Sequence, residues 1–444
     1  MSRLKIILIC SFLLPSSVGF TQARSPLFKV SPATIRNQLV NSGLTLKETA
    51  LRVKQAKLSV EVARGKLLPS LNLGVMVGSM ANPAFLLGSV DYVVPFLLPS
   101  RWFDFYKSKN LVDAEKQGFL ITELNLYAST VSMAANLLND LKTRQILYYE
   151  MRDWIEVENL VRQAVEDDRA VLADLDRARS QTAGVRIRIG RLNELLVQEM
   201  ASLKKILNLP VETEIQFLPF EFERSQLEDL ELAQAIKKVF EISPERKQVF
   251  SFIQAAKQDR FSKIFAFMSG ASAGNVTRGL NPNEGASMAF GDQVGRFNFQ
   301  FGYDYWPTIK IAETQIKMLQ IRENEIRNEL SRVTTEALAD KEFIEERMAQ
   351  ASSAAELLER VFIADQKRYG EGLIPLIQVF ESQRQWRAAL VENLRATTDL
   401  MLMRISMDRL IRAGQFSYLK GCETMTAYGK GGCTTKGATA RFGK

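Results

Sequence analysis

Reactive side chains are few in this sequence, and their types limit its chemistry. The 444-residue chain has three cysteines and no histidine. Histidine-based catalytic triads, general bases and metal sites are therefore absent. The sequence also shows no phosphate-binding glycine loop and no metal-ligand spacing. We predict neither enzyme activity nor a cofactor or metal.

The N-terminal segment has the features of an exported protein. Arg3 and Lys5 precede a short apolar run, and small residues follow up to Ala23. This order is typical of a secretory signal peptide, which we place at residues 1–23. Export leads to an oxidising compartment, so we expect a disulfide between the tail cysteines rather than a metal site. These cysteines are Cys422 and Cys433.

Charge argues against a nucleic-acid-binding protein, and hydropathy argues against membrane-spanning helices in the mature chain. The net charge of +8 is spread along the predicted helices and the tail, as expected for solvated faces. We therefore predict no nucleic-acid partner. Beyond the signal peptide, no run reaches the roughly 18 apolar residues of a membrane helix.

Helical periodicity divides the mature chain into two repeats of similar layout. Each repeat opens with a short helix, a break at residues 41–43 or 243–244, and a longer helix. The longer helix of the second repeat is expected to be shorter by about two turns. A proline-free stretch then follows, near 104–168 and 308–370, which is long enough for a helix of about 100 Å. The predicted returning helices lie near 175–209 and 379–411.

Between these helices the hydrophobic period changes from 3.6 to 2 residues. In the stretch RFNFQFGYDYWP, aromatic residues alternate with polar or small ones from Phe297 to Tyr305. Weaker alternation marks the other strands. We predict strand pairs at about 70–97 and about 262–306. The predicted first repeat spans residues 24–215, with a helical hairpin at about 102–209. The second repeat spans 216–413, with a hairpin at about 307–412. A Gly-rich periplasmic tail follows at 414–444.

An exported chain with very long helices has no compact core in which to bury these strands. In a membrane every backbone group must be paired, so a sheet must close. Four predicted strands are fewer than the roughly eight of the smallest single-chain barrels. The chain must therefore oligomerise, and the pattern alone permits two copies with eight strands or three with twelve.

Aromatic residues flank the predicted strands. Tyrosine and tryptophan favour the membrane–water interface, so the long helices would project from the membrane into the periplasm. The predicted membrane-interface aromatic residues are Trp102, Phe103, Tyr303, Tyr305 and Trp306.

Three stretches resemble the outer-membrane efflux protein family, the TolC-like channels: ARGKLLPSLNLG, LADLDRARSQ and RYGEGLIPLIQVFESQR. The resemblance covers roughly residues 31–413. Its most specific element is the R-Y-x-x-G-L-I turn of the second repeat. That element contributes Arg368, Tyr369, Gly372, Leu373 and Ile374.

The resemblance implies a mainly α fold with a small transmembrane β part. A duplicated helical-hairpin and strand-pair repeat would form a trimeric α-barrel in the periplasm, continued into a 12-strand β-barrel in the outer membrane. It implies a passive exit duct for efflux or type I secretion. The implied partners are two further copies of the chain, a periplasmic adaptor (membrane fusion protein), an inner-membrane pump and outer-membrane lipid.

The resemblance also implies site residues. The pore gate of the family has a D-x-x-D pattern, which corresponds to Gln378 and Glu381 here, so only Glu381 keeps a carboxylate. Three copies of it would form an acidic ring that attracts cations. Asp168 and Arg169 stand where the family usually has Gly-Leu, and its Asp-Gly-Gly junctions are missing. The residues expected at the periplasmic tips, for adaptor docking, are Arg368, Tyr369, Gly372, Leu373, Ile374 and Asp174.

Two other function classes remain open at this point. One is a periplasmic coiled-coil scaffold or adaptor without a pore. Adaptors usually have one helical hairpin flanked by compact β domains, whereas this sequence predicts two hairpins. The other is an enzyme, which the absence of a nucleophile–base pair disfavours.

Overall fold

The computed structural model describes residues 26–68, 95–168, 171–219, 222–266 and 304–421. Several predicted features lie outside these residues. They are the signal peptide at 1–23, most of both strand pairs, Arg169, Tyr303, Cys422, Cys433 and the remainder of the tail.

The first repeat contains two short helices and one long helical hairpin. Helix α1 spans Pro32–Ser42 and α2 spans Leu44–Gly65. The hairpin is formed by α3, Pro99–Glu166, and α4, Leu172–Leu207. Ser31 begins α1 with a capping box, in which its hydroxyl accepts from the Thr34 N–H and its own N–H donates to the Thr34 hydroxyl.

The second repeat has the same element order. Helix α5 spans Leu232–Ile242, α6 spans Pro244–Ile264, α7 spans Tyr305–Gly370 and α8 spans Leu376–Ile411. The corresponding helices have nearly equal lengths: α1 and α5 have 11 residues, α4 and α8 have 36, and α3 and α7 have 68 and 66. This correspondence agrees with the predicted duplication.

The predicted shortening of the second repeat's longer helix is wrong, because α6 has 21 residues and α2 has 22. Helix α6 continues to Ile264 and α7 already begins at Tyr305, so both ends of the predicted 262–306 range are helical. Tertiary contacts explain the difference. The Phe103 ring stacks on Phe261, with ring centroids 5.3 Å apart, and the Ser262 hydroxyl donates to Asp104 Oδ1 at 2.7 Å.

A two-stranded parallel sheet, which the sequence pattern did not predict, joins the start of the chain to the end of the first hairpin. Strand β1 spans Leu27–Val30 and β2 spans Glu214–Phe217, with Leu27 opposite Glu214. Each strand has four residues. Runs this short carry too little alternation to be recognised.

Buried apolar residues form separate clusters along the hairpins. The first lies where α1, α2, α3 and α4 meet, and includes Phe119, Leu124 and Leu203. The second joins α5 to α7 and α8, and includes Val239 and Met407. Within the described part of the chain, no helix has an apolar stretch long enough to cross a bilayer.

The first residues of the predicted tail are packed against the first hairpin. A 3₁₀ helix spans Gly414–Tyr418, and its Phe416 is fully buried. The Phe416 ring meets the Tyr127 ring edge to face, with centroids 5.0 Å apart. The Gly421 N–H donates to the buried Glu123 carboxylate at 2.8 Å. The chain beyond α8 therefore starts as part of the core.

Replacing Phe416 with alanine should lower the free energy of unfolding by about 3–5 kcal/mol, because it leaves a cavity beside Tyr127. Chemical unfolding followed by circular dichroism measures this loss. Tyr418→Ala is the matched control, since Tyr418 is exposed and, among the described residues, its ring contacts the Arg36 guanidinium. Losing this contact should lower the free energy of unfolding by about 1 kcal/mol or less. Equal losses in the two variants would contradict the packing described above.

Candidate functional site

The turn between α7 and α8 is closed by a glycine that the backbone requires. Gly372 has φ +74°, in the left-handed region, and its N–H donates to the Tyr369 carbonyl at 2.9 Å. The Leu373 N–H donates to the Arg368 carbonyl, also at 2.9 Å. These two bonds form a Schellman motif, which ends α7 and reverses the chain.

The turn between α3 and α4 begins with the same geometry without glycine. Asp168 has φ +56°, and its N–H donates to the Val165 carbonyl at 3.1 Å. Aspartate tolerates the left-handed region better than most residues with a side chain. The departure from the family's glycine at this position therefore preserves the start of the turn.

Both turns present apolar side chains to solvent. Tyr369 and Leu373 are exposed, Arg368 is exposed and Ile374 is half-buried. Asp174 is on the first turn of α4, where its carboxylate lies 3.1 Å from Arg177 Nη1. Three further exposed apolar residues at the tips were not predicted from the sequence, because a single exposed residue gives no periodic signal. They are Val171, Leu172 and Ile377.

Glu381, the predicted gate carboxylate, is paired within its own helix. Arg384 Nε and Nη2 donate to its two oxygens at 3.0 and 2.6 Å, and Gln385 Nε2 donates to Oε1 at 3.0 Å. The hydrogen bonds from Arg384, and then from Gln385, hold the pKa of Glu381 below its usual value. Gln378 is exposed one turn earlier and adds no charge.

A second ion pair lies on the neighbouring hairpin. Arg188 Nη2 on α4 lies 2.5 Å from Glu150 Oε1 on α3. The Glu150 carboxylate also helps to raise the pKa of Arg384, after the larger effect of Glu381. Two cations and two carboxylates thus offset one another, and Glu381 does not present an isolated negative charge. Arg384 was not predicted from the sequence, although its i,i+3 spacing from Glu381 is a recognised pairing signal.

Five residues, which we call the inter-hairpin cluster, connect the two hairpins near this site. Asp153 Oδ2 on α3 accepts from Gln383 Nε2 at 2.5 Å and from Arg387 Nη2 at 2.9 Å on α8. The Trp154 and Phe380 rings pack at 5.2 Å between centroids. This cluster links the hairpins near the tips, and the sequence did not predict it. Farther from the tips, Arg409 on α8 also donates to Asn125 Oδ1 on α3, at 2.6 and 2.9 Å.

The ion pair of the inter-hairpin cluster is largely shielded from water, since the side chains of Asp153 and Arg387 are each 14% exposed. Burial raises the pKa of Asp153, and the hydrogen bond and charge of Arg387 oppose this rise. Arg387 Nε has no hydrogen-bond partner among the described residues. Removing either member would leave the other without its counter-charge.

The described residues among the predicted interface aromatics lie at the start of α3 and at the start of α7. Trp102 is exposed, and its Nε1 donates to the Phe96 carbonyl at 2.8 Å. Trp306 is also exposed, while the Tyr305 hydroxyl donates to the Ile264 carbonyl at 2.8 Å. Phe103 differs, because it packs between helices against Phe261 and Phe265.

Several solved structures contain a similar arrangement of helical hairpins. The CmeC outer-membrane channel of Campylobacter jejuni is 11% identical, covers 92% of this chain and 90% of its own, and superposes with a TM-score of 0.67. The chain has the fold of outer-membrane channels. A membrane protein from Pseudomonas aeruginosa is 12% identical, with 89% and 94% coverage and a TM-score of 0.67. The MtrE outer-membrane channel of Neisseria gonorrhoeae is 12% identical, covers 86% of this chain and 89% of its own, and superposes with a TM-score of 0.59.

No protein-family model matches the sequence, and no curated protein matches it significantly. The channel fold therefore persists here at very low sequence identity. The predicted fold class is confirmed for the duplicated helical hairpins.

Replacing Arg387 with methionine should destabilise the protein by about 1–3 kcal/mol, because it leaves the Asp153 carboxylate buried without its cation. The double variant Asp153→Asn/Arg387→Met should recover most of this loss, since it removes both charges. Unfolding free energies of the wild type, both single variants and the double variant give the coupling between the two residues. Simple additivity would contradict a direct interaction across the hairpins.

Proposed function

We propose that this protein is a passive exit duct in the outer membrane, serving a tripartite efflux or type I secretion system. The observation that carries the proposal is the similarity of nearly the whole chain to outer-membrane channels, which spans 92% of it in the comparison with CmeC. A scaffold with a single hairpin would match only part of such a structure. The signal-peptide pattern at residues 1–23 agrees with export.

Three copies of the chain would form the duct. The single chain exposes large apolar side chains along α7, including Ile321, Phe343 and Ile363. A groove of about 570 Å³ between α7 and α8 has further apolar residues in its lining, such as Ile344 and Met403. Exposed apolar side chains of this size, together with the groove, favour association with neighbouring copies. In the proposed trimer these faces close the helical wall.

The two ends of the duct have different partners in this proposal. The segments with period-two alternation follow α2 and α6 and precede α3 and α7, so they would cross the outer membrane beyond these helix ends. At the other end, the exposed tips at Val171, Leu172 and Leu373 offer apolar surface to a periplasmic adaptor. The adaptor would join the duct to an inner-membrane pump.

The gate is proposed at Gln378 and Glu381, with a charge balance that depends on Arg384. Because Arg384 neutralises Glu381, three copies around an axis would bind cations weakly. Opening would require the tips to separate. The inter-hairpin cluster resists this separation through its shielded ion pair.

Single-channel recording in planar bilayers tests both the duct and its charge balance. Under a salt gradient, Arg384→Gln should shift the reversal potential toward cation selectivity, because it exposes the Glu381 charge. Glu381→Ala should shift it toward anion selectivity, and the double variant should return close to the wild type.

The outcomes separate the duct from the gate. Discrete channels with identical selectivity in all variants would retain the duct and reject this gate. Arg384→Lys, which keeps the positive charge, is the matched control and should behave like the wild type. An absence of channels from well-folded protein would instead favour a periplasmic scaffold without a pore.

A further inference from the structure

Four helix ends lie at one level and contact one another in series. Arg101 Nη1, at the start of α3, donates to the Lys66 carbonyl just beyond α2 at 2.6 Å. Lys107 on α3 pairs with Asp259 on α6 at 2.5 Å. The Tyr305 hydroxyl of α7 donates to the carbonyl of Ile264 on α6. We call the residues at this level, 61–68, 95–110, 259–266 and 304–313, the collar.

The collar exposes apolar and aromatic side chains. Leu68, Leu97 and Trp306 are each more than 60% exposed, and Trp102 is 40% exposed. Solvent-exposed groups of this size at one level mark a surface that is covered by a partner or a membrane. Tryptophan in particular favours the headgroup region of a bilayer.

Exposed cations lie beside these apolar groups. They are Arg64, Lys66, Lys263 and Lys310. Within the described part of the chain, none of the four has a carboxylate partner. Among the acidic residues of the collar, Asp259 pairs with Lys107, Glu313 pairs with Arg260 and Asp104 accepts from the Ser262 hydroxyl, whereas Glu61 and Asp304 are exposed. The four cations outnumber these two exposed carboxylates and are available to an external anion.

The helix dipole explains only part of this charge pattern. Arg64 and Lys263 lie on the last turns of α2 and α6, where a cation is favourable without any ligand. Lys66, at the C-cap of α2, shares this favourable position. Lys310 lies beyond the first turn of α7, which begins at Tyr305, so the dipole does not explain its position. Neither α3 nor α7 has an acidic residue on its first turn. The four cations thus share their level in the collar, whereas they do not share a position at the C-terminal end of a helix.

We propose that the collar binds the headgroups of anionic phospholipids in the leaflet that faces the helical hairpins. This inference rests on the proposed duct, which places the collar at the membrane surface. The four cations would contact headgroup phosphates while the tryptophans insert among the glycerol and upper acyl groups. Each lysine or arginine near an anionic membrane surface strengthens binding by about fivefold.

The test measures lipid selectivity of the full-length protein in vesicles. Spin-labelled phosphatidylglycerol and phosphatidylcholine report the relative association constant for the protein surface. We expect the association constant of the wild type to be several-fold higher for phosphatidylglycerol than for phosphatidylcholine. Each cation that contacts a headgroup should contribute a factor of about five at most. The variant Arg64→Gln/Lys66→Gln/Lys263→Gln/Lys310→Gln should lose most of this preference. The control Arg186→Gln/Arg191→Gln/Lys205→Gln/Lys237→Gln changes four exposed cations away from the collar and should retain it.

Two results would overturn the inference: no preference in the wild type, or an equal preference in the collar variant and the wild type. Soluble glycerophosphoglycerol and inorganic phosphate should not compete with the labelled lipid, and competition by either would indicate a free-anion site instead. Channel formation is recorded in parallel in bilayers of phosphatidylcholine alone and in bilayers that also contain phosphatidylglycerol. Channels without lipid selectivity would reject the collar and keep the duct, whereas an absence of channels in both kinds of bilayer would reject the duct itself.

Discussion

The structure depends on continuous side-chain packing along α3. A helix of 68 residues is far longer than the roughly 10–14 residues of an average globular helix, and most helical stability in proteins comes from tertiary packing, so its neighbours must support it along its length. Helix α3 contacts α2, α4, α6 and α8, and therefore joins both repeats. Phe119 and Tyr127 anchor its first part in the main core, and Leu147 contributes to a smaller cluster toward the turn.

This distribution of packing explains why polar contacts matter near the tips. The apolar clusters become smaller toward the turns, where the Leu147 cluster has only three buried members among the described residues. There the Asp153–Arg387 pair and the Trp154–Phe380 contact connect the hairpins. The Glu381–Arg384 pair lies on the same helix as Arg387 and leaves the proposed gate without a net acidic charge. In the proposed opening, tip separation would break a few polar and aromatic contacts and leave the main cores intact.

The sequence predicted the long elements well because their signals are long. The period of 3.6 residues and the absence of proline locate both hairpins within a few residues, and the R-Y-x-x-G-L-I element marks the turn of the second hairpin. Contacts between distant segments were not predictable in this way. The pairing of β1 with β2, the burial of Phe416 and the link from Asp153 to Arg387 depend on tertiary arrangement. At the proposed gate, the motif points to Glu381, whereas the ion pair that balances its charge involves Arg384, which the motif does not include.

Electron cryo-microscopy of the full-length protein in lipid nanodiscs would show whether the chain forms a trimeric duct. We expect three copies around one axis, with α3, α4, α7 and α8 of each copy forming the wall of one continuous passage. The tips at Gly372 should converge on the axis, and the collar should lie at the bilayer surface. A folded monomer outside the nanodisc, or an assembly without a passage, would show that the protein is not a duct.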